Sequence, residues 1–140
     1  MNTRSFISGG LIAGTVYFFL GWLVFGILLA DTMKGHMNDS LMRKNEDMIL
    51  WALIVGNLCY GFLLSYIFQH MGVHTARRGS AAGATIGLIT SLTFDLNFFG
   101  TSTMYKDLVA VAFNASAFLV VSAITGLVLG MWMSRQASKS

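Results

Sequence analysis

The chain has 140 residues, 55% of them hydrophobic and 11% charged, with no proline and a formal net charge of +3. A water-soluble domain of this size ordinarily carries about 25% charged residues. The composition therefore excludes an ordinary soluble domain and points to a bilayer as the main solvent. The basic residues form no stripe and have no interleaved aromatics, which excludes a nucleic-acid binder. A chain of this length is expected to form one domain over residues 1–140.

The first apolar run is Phe6–Ala30. It exceeds a signal-peptide core of about 7–15 residues and lacks a clear small-x-small cleavage site, so it reads as a retained helix. Residue 2 is Asn, which excludes myristoylation. Asp31–Asp47 follows as a polar connector of mixed charge, with His36 solvated and an interfacial half-turn around Leu41 and Met42. The second run is Met48–Gln69, with Trp51 placed as an interfacial anchor and the lone Cys59 as a packing residue. His70–Ser80 connects it to the third run, Ala81–Phe99, and Gly100–Asp107 leads to the fourth, Leu108–Ser134, anchored by Trp132.

Each run reaches the roughly 20 residues needed to cross a hydrocarbon core of ~30 Å. In lipid only a helix satisfies its own backbone over that length. The connections are short, so sequential helices should be antiparallel neighbours. The expected fold is all-α: a polytopic membrane protein built as a four-transmembrane-helix, up-down-up-down bundle.

An even number of spans puts both termini on one side. That side carries Arg4, Arg77, Arg78, Arg135 and Lys139 and no acid. The other carries Lys34, Arg43, Lys44 and Lys106, together with Asp31, Asp39, Glu46, Asp47 and Asp107. Basic residues favour the cytoplasm, so both termini are expected there.

Small residues recur four apart: Gly10 and Gly14 in the first helix, Gly79, Gly83 and Gly87 in the third, Ser122, Gly126 and Gly130 in the fourth. Such rows let helix backbones approach closely, either within one protomer or between copies. The second helix has its own small and polar row, Asn57, Gly61, Ser65 and Gln69. The nine methionines read as adaptable packers.

Asp95 is the one charged residue inside the four long runs. A carboxylate at membrane depth is costly and marks a functional site by default. It lies four residues from the end of its helix, about 6 Å inside the boundary. On a helical wheel it falls near Ser91 and beside the glycine stripe, about 80° from Gly87. Asn57 and Asn114 lie at comparable depth and Asp31 near the same boundary. Asp31, Asn57, Asp95 and Asn114 are thus expected to line one outer-half polar pocket, serving as an ion or proton site or as an interhelical hydrogen-bond network.

His70 and His74 are spaced i, i+4 and would share a helix face if the second helix extended that far. This is a weak alternative metal or haem site, with Gly72 between them disfavouring the helix. No HExxH, P-loop, GxSxG or dinucleotide fingerprint occurs, so no enzyme and no cofactor are expected.

Gly14-Thr-Val-Tyr-Phe-Phe-Leu-Gly-Trp22, Phe25-Gly-Ile-Leu and Gly83-Ala-Thr-Ile-Gly-Leu-Ile89 resemble uncharacterised small four-helix inner-membrane proteins of bacteria, of Bacteroidetes type. The resemblance implies a bacterial inner-membrane location and no particular activity. The expected partners are the lipid bilayer and either further copies of the chain or other membrane subunits. The expected role is assembly through the glycine faces, as a homo-oligomer or accessory subunit; the alternative is a small channel or proton- or cation-coupled transporter using Asp95.

Overall fold

The structure is a computed structural model that describes residues 2–138. Lys139, counted above among the basic residues, lies outside them. The described residues hold α1 (Thr3–Leu23), α2 (Ala30–Lys34), α3 (Leu50–His70), α4 (Ala76–Thr101) and α5 (Leu108–Ala137). Two short 3₁₀ turns, Asp39–Leu41 and Asn45–Asp47, lie between α2 and α3. The segments Thr3–Leu28, Leu50–His70, Ala76–Thr101 and Leu108–Ala137 are long and apolar enough to cross a membrane.

Local chemistry sets the helix ends. Asn2 Oδ1 accepts from the N–H groups of Arg4 and Ser5 at 3.1 and 3.2 Å, satisfying otherwise orphaned donors at the start of α1. Thr75 Oγ1 accepts from the Arg78 N–H at 3.3 Å, which starts α4 five residues before the predicted Ala81. Asp107 Oδ1 accepts from the Ala110 N–H at 2.9 Å and caps α5. After α1 the chain widens into a π-helical turn, Val24–Leu28, in which the Leu29 N–H reaches back five residues to the Val24 carbonyl. The regular helix therefore stops short of the predicted Ala30, and α2 leads off separately.

The glycine rows organise two tight helix pairs. In one, a Cβ added to Gly83 would collide with the Ser122 carbonyl oxygen, and one added to Gly126 with that of Gly79. A Cβ on Gly130 would lie 2.5 Å from the Thr75 oxygen. As residue numbers rise along α4, they fall along α5. In the other pair, Gly14 sits against Leu58, Gly10 against the Phe62 ring, and Gly61 against the backbone of both glycines. The rows thus lie inside the protomer, which removes them as an oligomer interface.

α1 joins the pairs by packing on α5. Tyr17 and Phe25 lie 6.2 and 5.2 Å from Phe118, centroid to centroid. A core of Ala13, Leu64, Phe68, Val73, Leu129 and Met133 fills one end. Met33, Tyr105, Ala110 and Val111 fill the other. Large apolar side chains cover the outside, among them Phe19, Trp22, Leu50, Trp51 and Phe94.

Gly83→Ala is expected to destabilise the protein by about 1–3 kcal/mol, because the new methyl group overpacks a backbone contact. Gly56 has nothing within 4 Å of an added Cβ. Gly56→Ala should therefore cause no loss and a gain of up to about 1 kcal/mol from helix propensity. Thermal unfolding of both variants in the same detergent checks the contrast.

Candidate functional site

Ser91 and Asp95 continue the buried row begun by Gly79, Gly83 and Gly87 on α4. The predicted position of Asp95 beside that row is corrected. Residues four apart form a ridge inclined to the helix axis, and a partner crossing obliquely can follow the whole ridge. α5 does so, and the row that packs glycine on glycine ends by aiming Asp95 at Asn114.

Asp95 is only 3% exposed. Its Oδ2 accepts from the Ser91 hydroxyl one helical turn earlier. Its Oδ1 accepts from Tyr105 Oη at 2.9 Å and from Asn114 Nδ2 at 2.7 Å. Asn114 Nδ2 also lies 3.3 Å from Tyr105 Oη. Three neutral donors from α4, the α4–α5 turn and α5 therefore converge on one carboxyl group. Among the described residues no lysine, arginine or histidine pairs with it.

A hydrogen bond to a charged group contributes about 1.5–3 kcal/mol, so the three donors can offset a large part of the carboxylate's desolvation. The cluster can also hold the protonated acid, because the Ser91 hydroxyl can rotate from donor to acceptor. Burial, and then the hydrogen bond and charge of Asp95, push the Tyr105 phenol well above its ordinary range, so it remains a donor.

Tyr105 links this cluster to a cap outside the long helices. Met37 and Tyr105 form an isolated antiparallel bridge. The Asn38 N–H donates to the Met104 carbonyl and the Lys106 N–H to that of His36, each at 2.9 Å. His36 Nδ1 donates to Asp107 Oδ2 at 2.7 Å. His36 was expected to be solvated; it is half-buried, joining the α2–α3 connection to the start of α5. Leu29, Leu92, Met37 and Met104 surround the buried Met33 and Tyr105.

Two of the four residues expected to share a pocket lie elsewhere. Asn57 turns its Nδ2 onto the Leu53 carbonyl of its own helix at 2.6 Å. Asp31 lies on the outer side of α2 and pairs with Lys34 at 2.7 Å, its side chain 93% exposed. Only Asn114 joins Asp95. The spacing of His70 and His74 is not realised on a helix: α3 ends at His70, and Gly72 turns the chain with φ +61°. His70 Nδ1 contacts the Tyr66 carbonyl at 2.8 Å, while His74 is exposed beyond the turn. No group of three or more His, Cys, Asp or Glu side chains suited to a metal occurs among the described residues. Along the remaining polar row, Ser65 Oγ donates to the Phe6 carbonyl at 2.9 Å, and Gln69 Nε2 is buried without a hydrogen-bond partner.

Tyr105→Phe removes one donor from Asp95 and is expected to destabilise the protein by about 1.5–3 kcal/mol. Amide exchange at Asn38 and Lys106 should quicken in the same variant; unchanged exchange there would separate the cap from the cluster.

The Asp107 carboxyl is held below its usual range, first by the His36 hydrogen bond and then by the Ala110 N–H. A carboxyl with a lowered folded-state pKa stabilises the fold above its unfolded value, and that contribution is lost as pH falls through the folded value. The cap should therefore be tightest near neutrality and loosen on acidification below the ordinary carboxylate range. His36→Ala should flatten that acid limb in amide exchange across residues 36–38 and 104–106.

Comparison with protein-family models, curated proteins and solved structures finds no match, so the chemistry assigned to the Asp95 cluster rests on its own geometry.

Proposed function

We propose that the chain is a non-enzymatic integral membrane protein of the bacterial inner membrane. It forms an up-down-up-down four-helix bundle with both termini in the cytoplasm. It works by assembly, with further copies of itself or with the subunits of a larger membrane complex.

One observation carries this reading. The conspicuous polar groups, Asp95 foremost, bond to one another inside the protomer, while large apolar side chains cover the outside. That inside-out distribution suits a bilayer, and the internal bonding suits a scaffold better than a reaction centre. The glycine rows already pack α4 on α5 and α1 on α3. Assembly would instead use outer apolar faces. The first half of α3 is the foremost of these, because α3 buries only Gly61, Leu64, Ser65 and Phe68 and leaves Trp51, Leu53, Ile54 and Val55 exposed.

A second reading has an observation of its own. A buried carboxyl within a long apolar helix, with no cationic side chain paired to it, marks a candidate ion or proton site. In this reading Asp95 is the proton or cation site of a small transporter, with Asn114, Tyr105 and Ser91 as its supports.

Native mass measurement in mild detergent tests the first reading. A defined multiple of the 15.3 kDa chain, or larger subunits carried with it, is the expected result. A lone chain, combined with a proton or cation flux in proteoliposomes that Asp95→Asn abolishes without unfolding the protein, would replace assembly by transport.

A further inference from the structure

A groove of about 580 Å³ runs between the α3–α4 connection and α4. Met71 and Val73 border it on one side. Ala81, Ala82, Thr85 and Ile86 form the α4 wall. The groove has a packing cause. The glycine row draws α4 onto α5, α3 packs on α1, and α3 meets α4 only sparsely. The small side chains on this face of α4 do not fill the gap. Thr85 Oγ1 donates to the Ala81 carbonyl at 3.0 Å, so its hydroxyl is turned back onto its own helix and the wall is apolar.

Arg78 is the one charged residue lining the groove. It stands two residues into α4, about 3 Å from the helix start, whereas Ile86 stands ten residues in, at about 15 Å. The α4 wall therefore passes from cationic to apolar along the helix axis, with Met71 and Val73 adding apolar surface beside Arg78. This matches the order of groups in a phospholipid lying along a membrane-spanning helix, phosphate first and hydrocarbon after.

The charge distribution favours an anionic headgroup. Arg4, Arg77, Arg78 and Arg135 lie at this end of the body, and none forms an ion pair among the described residues. Both ion pairs, Lys34–Asp31 and His36–Asp107, lie at the opposite end with the connecting-segment acids.

We propose that this groove binds one anionic phospholipid, its phosphate on Arg78 and an acyl chain along Ala81, Ala82, Thr85 and Ile86. The inference rests on membrane embedding. It is independent of whether the protein assembles or transports.

The test uses the full-length protein in mild detergent, titrated with phosphatidylglycerol or phosphatidylcholine of the same acyl chains, with bound lipids counted by native mass measurement. One phosphatidylglycerol should bind with about a fivefold preference, the scale set by one basic residue near an anionic headgroup. Arg78→Gln should reduce that preference to unity. Ala81→Phe, at an exposed groove position, should weaken both lipids by filling the acyl path. Arg77→Gln should keep most of the preference, since Arg77 does not line the groove.

Equal binding of the two lipids by the unaltered protein would overturn the proposal. So would a preference that survives Arg78→Gln or falls equally in Arg77→Gln, since a diffuse basic end would then explain it. Displacement of the lipid by millimolar inorganic phosphate would reassign the site to a free anion. Should Arg78→Gln fail to fold, Ala81→Phe and the lipid preference of the unaltered protein still decide the matter. Lipid adducts and protein stoichiometry appear as separate mass differences, so failure here is distinct from failure of the assembly reading.

Discussion

Backbone packs directly on backbone between α4 and α5. Gly79 lies on Gly126, Gly83 on the Ser122 carbonyl, and Gly87 on Ser122 and the Phe118 carbonyl. Between apolar helices in an apolar medium there is no hydrophobic drive, so dispersion at close approach and weak Cα–H contacts hold such a pair. A row this close permits little sliding. Its continuation puts Ser91 and Asp95 beside Asn114, and its direction turns the opposite side of α4 toward the sparsely filled space beside α3. The polar cluster and the groove are two results of one register.

The Asp95 cluster reinforces that register at the far end of the glycine row. A buried carboxyl without donors would be strongly destabilising. Its donors come from three places in the chain: Ser91 on α4, Tyr105 in the turn and Asn114 on α5. Satisfying the carboxyl therefore brings the turn and both helices into one arrangement. The backbone of Tyr105 also takes part in the bridge to Met37, so one residue connects helix packing with the ordering of the α2–α3 connection. The network thereby also specifies which arrangement the turn and the two helices adopt.

The four long helices were legible because each is an uninterrupted apolar run bounded by polar residues, and the four-residue rows announced where backbones could meet. The candidate pocket was only half legible. Depth along a helix can be counted from sequence, but direction and partner cannot. Asn57 has the right depth and turns onto its own Leu53 carbonyl. Asp31 lies on the separate helix α2, beyond a π-helical turn that no residue pattern announced, and faces outward to Lys34. Tyr105 was missed because it lies in a connection, where an aromatic reads as a boundary residue. The available signal was its place between Asp95 and the Asp107 cap, near enough to fold back on the carboxyl. The wheel reading of Asp95 failed for a related reason: it treats the partner as parallel to the axis, whereas α5 follows an inclined ridge.

Gly72, with its φ of +61°, sits in the short connection between the α1–α3 pair and the α4–α5 pair. Each pair holds its own glycine contacts and needs no residue from the other to make them. A ribosome delivering the chain from its first residue onward completes one hairpin before the next begins to emerge. Biogenesis can thus proceed hairpin by hairpin, with α1 on α5 as the later weld. The Met37–Tyr105 bridge joins segments on either side of Gly72, so closure of the cap must wait until the α4–α5 turn has emerged.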